Sequence, residues 1–112
     1  MATPDAAEAA RAVQLRGLSE SDIARATGVA PATARAWLAG TPSPTGERAE
    51  RLIELSAMVG RLAQVIDRDY IAVWLRKPIP VLDDDKPLDV IAAGQYRRLS
   101  QVIAGLEYPG AA

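Results

Sequence analysis

The sequence predicts an all-α protein in which an N-terminal helix-turn-helix is followed by a long central helix and a small helical C-terminal domain. Apolar residues recur at steps of three and four along several stretches of the chain. Glycines and prolines stand between these stretches, where helices end and begin. Residues 20–39 also have the spacing of a helix-turn-helix. Together these observations predict short helices that pack on one longer helix.

Length and composition narrow the classes of function. A chain of 112 residues forms one domain or two very small ones, and its modest core favours stabilisation by a partner. Cys and His are both absent, which removes disulfides, thiolate nucleophiles, imidazole bases and nearly every common zinc site. The remaining Ser, Thr, Lys and carboxylate groups do not stand at catalytic spacing. We therefore expect neither enzyme activity nor a cofactor.

The charge and the start of the chain bear on partners and location. A net charge of −1 argues against a strongly basic nucleic-acid binder. The first residues, Met1-Ala2-Thr3-Pro4-Asp5, lack the basic and apolar segments of a leader peptide. No stretch reaches the ~18 uninterrupted apolar residues of a membrane span. We expect a cytoplasmic protein without a membrane partner.

Three helices are predicted in the N-terminal third. The first covers residues 5–16 and ends at Gly17. Ser19 suits the N-cap of the second, residues 20–27, because the acidic Asp22 three residues later approximates a capping box. The third helix has Pro31 in its first turn and runs to about residue 38 or 39, before Gly40.

The second and third helices form the predicted helix-turn-helix. Ala24 is a small residue where the two helices cross closely, and Gly28 follows where the turn needs a left-handed backbone. Trp37 is the natural core anchor, with Ile23 and Ala34 also facing inward.

Binding to DNA would depend on a recognition helix with few side chains that can contact bases. Thr33 and Arg35 face outward, and one arginine that bonds to guanine discriminates by about 1–3 kcal/mol. Candidate phosphate contacts are Arg25, Arg48 and Arg51. The alternatives are ordinary solvated arginines and an alanine-rich helix that serves as a packing face. We expect weak, salt-sensitive binding to operator DNA by a monomer, and useful affinity only in an assembly.

The central helix has the strongest periodic pattern, over residues 47–70. Its apolar stripe consists of Leu52, Leu55, Val59, Leu62 and Ile66. The helical pattern continues to Leu75 with a kink at residues 67–69, and Pro78 and Pro80 end it.

A connector and two short helices complete the chain. Residues 77–86 are the connector, in which Ile79, Val81 and Leu82 are interpreted as extended. Asp83–Asp85 complement the positive end of the next helix dipole, and we favour this role over a metal site. The two helices cover residues 87–93 and 95–104, the second ending at Gly105, and residues 106–112 form a tail.

The order of motifs in the C-terminal half resembles a known family. Trp74-Leu75 is followed by a proline-bearing loop, by Pro87-Leu88 at the start of a short helix, and by an aliphatic helix that closes on Gly105. This order resembles the C-terminal domain of the Xre/MbcA/ParS antitoxins, and the helix-turn-helix is similar to their Xre-like half. The resemblance implies an Xre-like domain at residues 1–69 and a toxin-binding domain with its tail at residues 70–112.

The resemblance also implies a partner. Members of the family neutralise a RES-domain toxin that consumes NAD, by sequestering it in a multimeric complex, and their operons are autoregulated. We therefore expect a hetero-oligomer with such a toxin, in which the toxin's active site is blocked.

Candidate toxin-binding residues follow from the matched positions, which are Trp74, Leu75, Pro87, Leu88, Ile91 and Gly105. Of these, we interpret Trp74, Leu88 and Ile91 as core rather than interface. Better interface candidates are Tyr96, Leu106, Tyr108 and Pro109, which have apolar bulk and no obvious local core.

The tail is the candidate inhibitory segment. We hypothesise that residues 106–112 enter or cap the NAD cleft, because they carry one aromatic side chain and end in small residues from Gly110 onward. Glu107 and the terminal carboxylate would meet cationic groups that otherwise hold the NAD phosphates. The alternative is a frayed terminus.

Two other functions stay open. The chain would be a stand-alone transcription regulator if residues 70–112 only dimerise, or an adaptor that binds another helix. A RES-type toxin gene next to this one would favour the antitoxin.

Overall fold

The computed structural model describes residues 5–40 and 43–110, and in these ranges every regular element is helical. The α-helices are α1 (Ala6–Leu15), α2 (Glu20–Thr27), α3 (Pro31–Leu38), α4 (Gly46–Leu62), α5 (Arg68–Arg76), α6 (Pro87–Ala92) and α7 (Tyr96–Glu107). A 3₁₀ turn spans Pro80–Leu82. The all-α prediction is confirmed. None of the described helices has the length and hydropathy needed to cross a membrane.

Side-chain caps set the starts of the first two helices, and the cap of α2 is the one that the sequence predicts. The Asp5 carboxylate accepts a hydrogen bond from the Glu8 amide at the start of α1. Ser19 and Asp22 form a complete capping box at the start of α2, each side chain bonding the other residue's amide. These bonds satisfy amides that have no partner within the helix.

The central helix is shorter than the pattern predicts. α4 ends at Leu62, and a turn of five residues separates it from α5. The prediction of one helix over residues 47–70, kinked at 67–69, is therefore wrong. Asp67 has an extended backbone that interrupts the helix, and this change of direction brings Ile71 and Leu75 into the core.

The connector is compact rather than extended. Ile79 is extended, but Val81 and Leu82 belong to the 3₁₀ turn, so their predicted conformation is wrong. The Leu82 side chain is buried, and burial of this one apolar group folds the connector back onto the protein.

The last helix is longer than predicted. α7 continues to Glu107, so Gly105 lies within it and does not end it. Glycine weakens a helix without forbidding it, and contacts beyond Gly105 hold the last turn here. Leu106 and Glu107 consequently belong to the helix, and the segment beyond it begins at Tyr108.

One hydrophobic core joins the two halves of the chain. α1 packs on α4, and α2 packs on α3, α4 and α6. α7 packs on α4 and α6, and buried residues from every helix form a single cluster. The division into domains at residues 69 and 70 remains a prediction, and the elements on its two sides share this core.

Candidate functional site

The helix-turn-helix has the local geometry that the spacing predicts. Gly28 ends α2 with a left-handed backbone, φ +74°, and its amide and that of Val29 both donate to the Ala24 carbonyl oxygen. Ala24 and Trp37 are buried where α2 meets α3. The turn therefore fixes the direction in which α3 leaves, and with it the surface that α3 presents.

The two predicted DNA-reading residues differ in exposure. Thr33 is half-buried, whereas Arg35 is exposed and its Nε donates to Glu20 Oε2 over 3.0 Å. Exposed pairs of this kind contribute about 0–1 kcal/mol, so a guanine could displace Glu20 at little cost. Arg35 is thus an exposed side chain that is only weakly paired with α2, and its contact with a base stays a prediction.

The three arginines predicted to contact phosphates differ in their exposure and in their partners within the protein. Arg25 donates two hydrogen bonds to Asp89 of α6, at 2.6 and 3.0 Å, and these bonds lower the pKa of Asp89. Arg51 bonds Glu54 at 2.7 Å on its own helix. Arg48 is exposed in the first turn of α4. Two of the three arginines are therefore engaged by carboxylates within the protein, which reduces the positive charge open to DNA.

An ion pair between a buried carboxylate and a half-exposed arginine connects the helix-turn-helix to α5. Asp22, which caps α2, also accepts hydrogen bonds from Arg76 at 2.6 and 2.8 Å. Burial by itself would raise the pKa of Asp22, but the bonds from Arg76 and Ser19 outweigh it and hold the pKa below its usual value. Asp22 is therefore ionised and joins two distant elements.

Five of the predicted toxin-binding residues lie in the core. They are Trp74, Leu75, Pro87, Leu88 and Ile91. Side chains enclosed in this way shape the C-terminal half and offer almost no surface to a partner. The interpretation of Trp74, Leu88 and Ile91 as core is thus the one that agrees with their burial, and Leu75 and Pro87 join them.

The other predicted residues lie on α7 and just after it. Tyr96 is half-buried at the start of α7. Leu106 is exposed in the last turn, Tyr108 is 68% exposed just after it, and Pro109 and Gly110 are exposed beyond. The structure brings four of these five together as an apolar C-terminal segment; Tyr96 lies at the opposite end of the same helix.

Glu107 is bound within the protein. Its carboxylate accepts hydrogen bonds from Arg61 of α4 at 2.5 and 3.1 Å, and these bonds lower the pKa of Glu107. Arg61 also donates to the hydroxyl and to the carbonyl oxygen of Ser100. Glu107 thus fastens the end of α7 to α4, an arrangement that we call the Arg61 clamp. Its contact with cationic groups of a toxin stays a prediction.

The sequence patterns did not predict the side-chain contacts that join distant parts of the chain. Arg61, Ser100, Asp22, Arg76 and Asp89 all act through contacts between residues at least 39 positions apart. Within residues 5–40 and 43–110, no three acidic side chains are grouped closely enough to hold a metal ion.

Comparison with known proteins agrees with this geometry. A helix-turn-helix family model matches residues 8–55, which confirms the predicted motif. The mycobacterial cidal antitoxin MbcA of Mycobacterium tuberculosis is 32% identical over 92 residues, covering 82% of this chain and 81% of that protein. A probable mycobacterial cidal antitoxin of the same organism is 28% identical over 92 residues, covering 82% of this chain and 78% of that protein.

A solved structure has the same fold. It is the crystal structure of the M. tuberculosis MbcT–MbcA toxin–antitoxin complex, matched with a TM-score of 0.82 and 28% sequence identity. The match covers 96% of this chain and 96% of that one, so it includes the helix-turn-helix and most of the C-terminal half.

Proposed function

The chain belongs to the family of the mycobacterial cidal antitoxin MbcA, as its motifs predict, and on this basis we propose that it is an antitoxin that binds and neutralises a protein toxin. The observation that carries the proposal is the match over 96% of both chains to a protein of a toxin–antitoxin complex. Antitoxins of this kind act by binding, which agrees with the lack of Cys and His for catalysis.

The proposed toxin is a RES-domain enzyme that consumes NAD. Support comes from the family resemblance of residues 70–106, with Trp74-Leu75 and Pro87-Leu88 in the family's order. The complex would be a hetero-oligomer in the cytoplasm, where the toxin would consume NAD.

The proposed inhibitory element is the C-terminal segment from Leu106 onward. The Arg61 clamp fixes the last turn of α7, so Leu106 and Tyr108 leave the protein from a rigid support. A preformed support lowers the entropy cost of binding. Tyr108, Pro109 and Gly110 would then cap the NAD cleft, the tyrosine filling an apolar recess while its hydroxyl stays polar. Ala111 and Ala112, the end of the hypothesised plug, lie outside the described residues.

A truncation tests this mechanism. A chain that ends at Glu107 keeps the Arg61 clamp and loses only residues 108–112. We expect it to leave NAD consumption by the toxin of the neighbouring gene largely uninhibited, whereas the full chain stops it. The control Arg97→Ala changes an exposed residue of α7 and should inhibit fully.

The outcomes separate the parts of the proposal. Full inhibition by the truncated chain would mean that docking alone blocks the cleft. Separate elution of the intact chain and the toxin from a sizing column at equal amounts would overturn the antitoxin function itself.

A second function, autoregulation of the operon, is proposed for the helix-turn-helix. It is supported by the match of residues 8–55 to the helix-turn-helix family and by the exposure of Arg35 beside α2. Fluorescence anisotropy with the promoter DNA should show binding that weakens steeply with salt, and Arg35→Ala should weaken it about tenfold. Unchanged affinity for this variant would exclude Arg35 as a base-reading residue.

The alternative of a stand-alone regulator makes a different prediction. If residues 70–112 only dimerise, the chain binds its promoter equally well with and without the toxin. Co-expression discriminates the two, because only an antitoxin restores growth to cells that produce the toxin.

A further inference from the structure

The connector between α5 and α6 presents one apolar side chain almost fully to solvent. Val81 is 79% exposed, although the next residue, Leu82, is only 1% exposed. A single exposed apolar residue is ordinary on a protein surface. What distinguishes Val81 is the way in which the loop that carries it is built.

Hydrogen bonds hold this loop in one shape. The Ile79 carbonyl oxygen accepts from the amides of Leu82 and Asp84, at 2.9 and 3.1 Å. The Ile79 amide donates to the Asp85 carbonyl oxygen at 3.2 Å, which closes the loop. Leu82 anchors it in the core, so Val81 is carried on a fixed support rather than on a mobile end.

The same loop contains unusual backbone conformations. Asp83 and Asp84 have φ values of +56° and +63°, and among the described residues they alone are left-handed without being glycine. Side chains disfavour this region, so the surrounding contacts must maintain it, and such positions concentrate where proteins bind or react.

Arg98 fastens the loop to α7. Its guanidinium donates to the Leu82 carbonyl oxygen at 3.2 Å and pairs with Asp83 and Asp85 at 3.7 and 3.5 Å. The support of Val81 is therefore continuous with the helix that leads to the C-terminal segment.

An apolar surface runs along this support. Val81, Leu82 and Val102 line a shallow groove of about 190 Å³ together with Arg98 and Gln101. Leu106 lies one helical turn beyond Val102 on the same face of α7. The side chains of Val102 and Leu106 thus continue the apolar face of α7 from the groove toward the segment proposed above to cap the toxin.

The border of this surface is acidic. Asp83, Asp84 and Asp85 follow Leu82, the residue after Val81, and the Asp83 side chain is 96% exposed. Arg98 pairs with two of them, which leaves the border with an excess of negative charge. A complementary surface would be apolar at its centre and basic at its edge.

We propose that the Val81 surface, which consists of Val81, Val102 and the carboxylates of Asp83–Asp85, is a second docking surface for the toxin. It would fit an apolar pocket bordered by Arg or Lys side chains. The proposal depends on the function proposed above, since it assigns a further contact to the same partner. Under this proposal the Val81 surface holds the toxin, and the C-terminal segment closes the toxin's cleft.

Matched valines provide the test. Val81→Ser removes the apolar side chain and keeps the loop, whereas Val73→Ser makes the same change at a 45% exposed position on α5. In surface-immobilised binding measurements with the toxin, we expect Val81→Ser to raise Kd at least tenfold, mainly through faster dissociation. Val73→Ser should change Kd less than twofold. Equal affinity of Val81→Ser and the unaltered chain would overturn the proposal.

The acidic border has its own test. The triple variant Asp83→Asn, Asp84→Asn, Asp85→Asn keeps residues that tolerate a left-handed backbone. We expect its association with the toxin to be slower and less sensitive to salt. An unchanged salt dependence of association would overturn the proposal that the toxin's pocket is bordered by basic side chains. Thermal melting checks that the variant folds.

The chain that ends at Glu107 distinguishes this inference from the proposed function. It retains the Val81 surface, so it should still bind the toxin without inhibiting it fully. Loss of toxin binding on truncation alone would overturn the Val81 surface, whereas failure of the intact chain to bind would overturn both proposals.

Discussion

At the scale of single residues, the feature that distinguishes this protein is a set of ion pairs between distant parts of the chain. In each pair, an arginine donates two hydrogen bonds to one carboxylate that is 46 to 64 positions away. The pairs are Asp22–Arg76, Arg25–Asp89 and Arg61–Glu107. They fasten the C-terminal helices to the helix-turn-helix and to α4.

Replacing Asp22 tests the most buried of these pairs. Asp22→Asn keeps the shape of the side chain and removes its charge, so the hydrogen bonds from Arg76 weaken. We expect the free energy of unfolding at neutral pH to fall by about 1–2 kcal/mol, because Arg76 keeps half of its side chain in water. Urea denaturation followed by circular dichroism measures the change.

The pH dependence of the same variant checks the cause. The pKa of Asp22 is lower in the folded protein than its usual 3.8, so its contribution is present above that pH and is lost as pH falls through the folded-state pKa. The difference in unfolding free energy between the two proteins should therefore shrink in acid. A difference that stayed constant down to about pH 2 would point to packing instead of charge.

The Arg61 clamp makes a prediction for toxin binding. Arg61→Gln removes the paired hydrogen bonds to Glu107 and frees the last turn of α7, which contains Gly105 and is weak by itself. We expect Kd for the toxin to rise about tenfold, because the segment must then be ordered on binding. Isothermal titration calorimetry measures Kd, with Arg97→Gln as the control. Unchanged affinity would show that the clamp does not position the segment.

At the scale of elements, the turn between α2 and α3 depends on one glycine. Gly28 has a left-handed backbone, and a Cβ there would meet no atom within 4 Å. The cost of Gly28→Ala is therefore conformational alone, about 1–2 kcal/mol of unfolding free energy. Thermal denaturation measures it.

A second glycine supplies a control of opposite sign. Gly60 lies inside α4, without positive φ, and its Cβ position is also open. Gly60→Ala should stabilise the protein by about 0.5–1 kcal/mol, since alanine favours a helix. Equal effects of the two substitutions would contradict the role assigned to the turn.

At the scale of the whole molecule, the shared core predicts that the halves are not independent. A fragment of residues 1–69 lacks α6 and α7, which cover α2 and α4, and leaves Asp22 without Arg76. We expect this fragment to lose cooperative thermal unfolding, because so small a core cannot offset chain entropy. Circular dichroism and amide NMR dispersion would detect the loss. A fragment that melted like the intact chain would support two autonomous domains.

Much of the architecture could be predicted from the sequence because its signals are local. Ser19, Gly28 and Pro31 mark helix ends within a few residues, and the structure has helices at those positions. The sequence did not predict the end of α4 at Leu62, because apolar residues keep the same spacing beyond it. Periodicity shows which residues share a helix face, but it does not show where the chain changes direction.

The candidate site was harder to predict, for a physical reason. Whether Ile91 faces a partner or the core depends on elements far away in sequence, and the composition of the tail gives no sign that Arg61 binds Glu107. The composition of the tail indicated the C-terminal segment, whereas its attachment depends on a contact between Arg61 and Glu107, which are 46 positions apart.

The long-range ion pairs limit how such proteins can be recombined. A chimaera that grafts residues 70–112 onto an unrelated helix-turn-helix would carry Arg76, Asp89 and Glu107 without Asp22, Arg25 and Arg61. All three ion pairs would lose a partner where the graft meets its host. Gene shuffling that retains function must therefore move complementary positions together, so inheritance in this lineage should favour whole reading frames over exchanged modules.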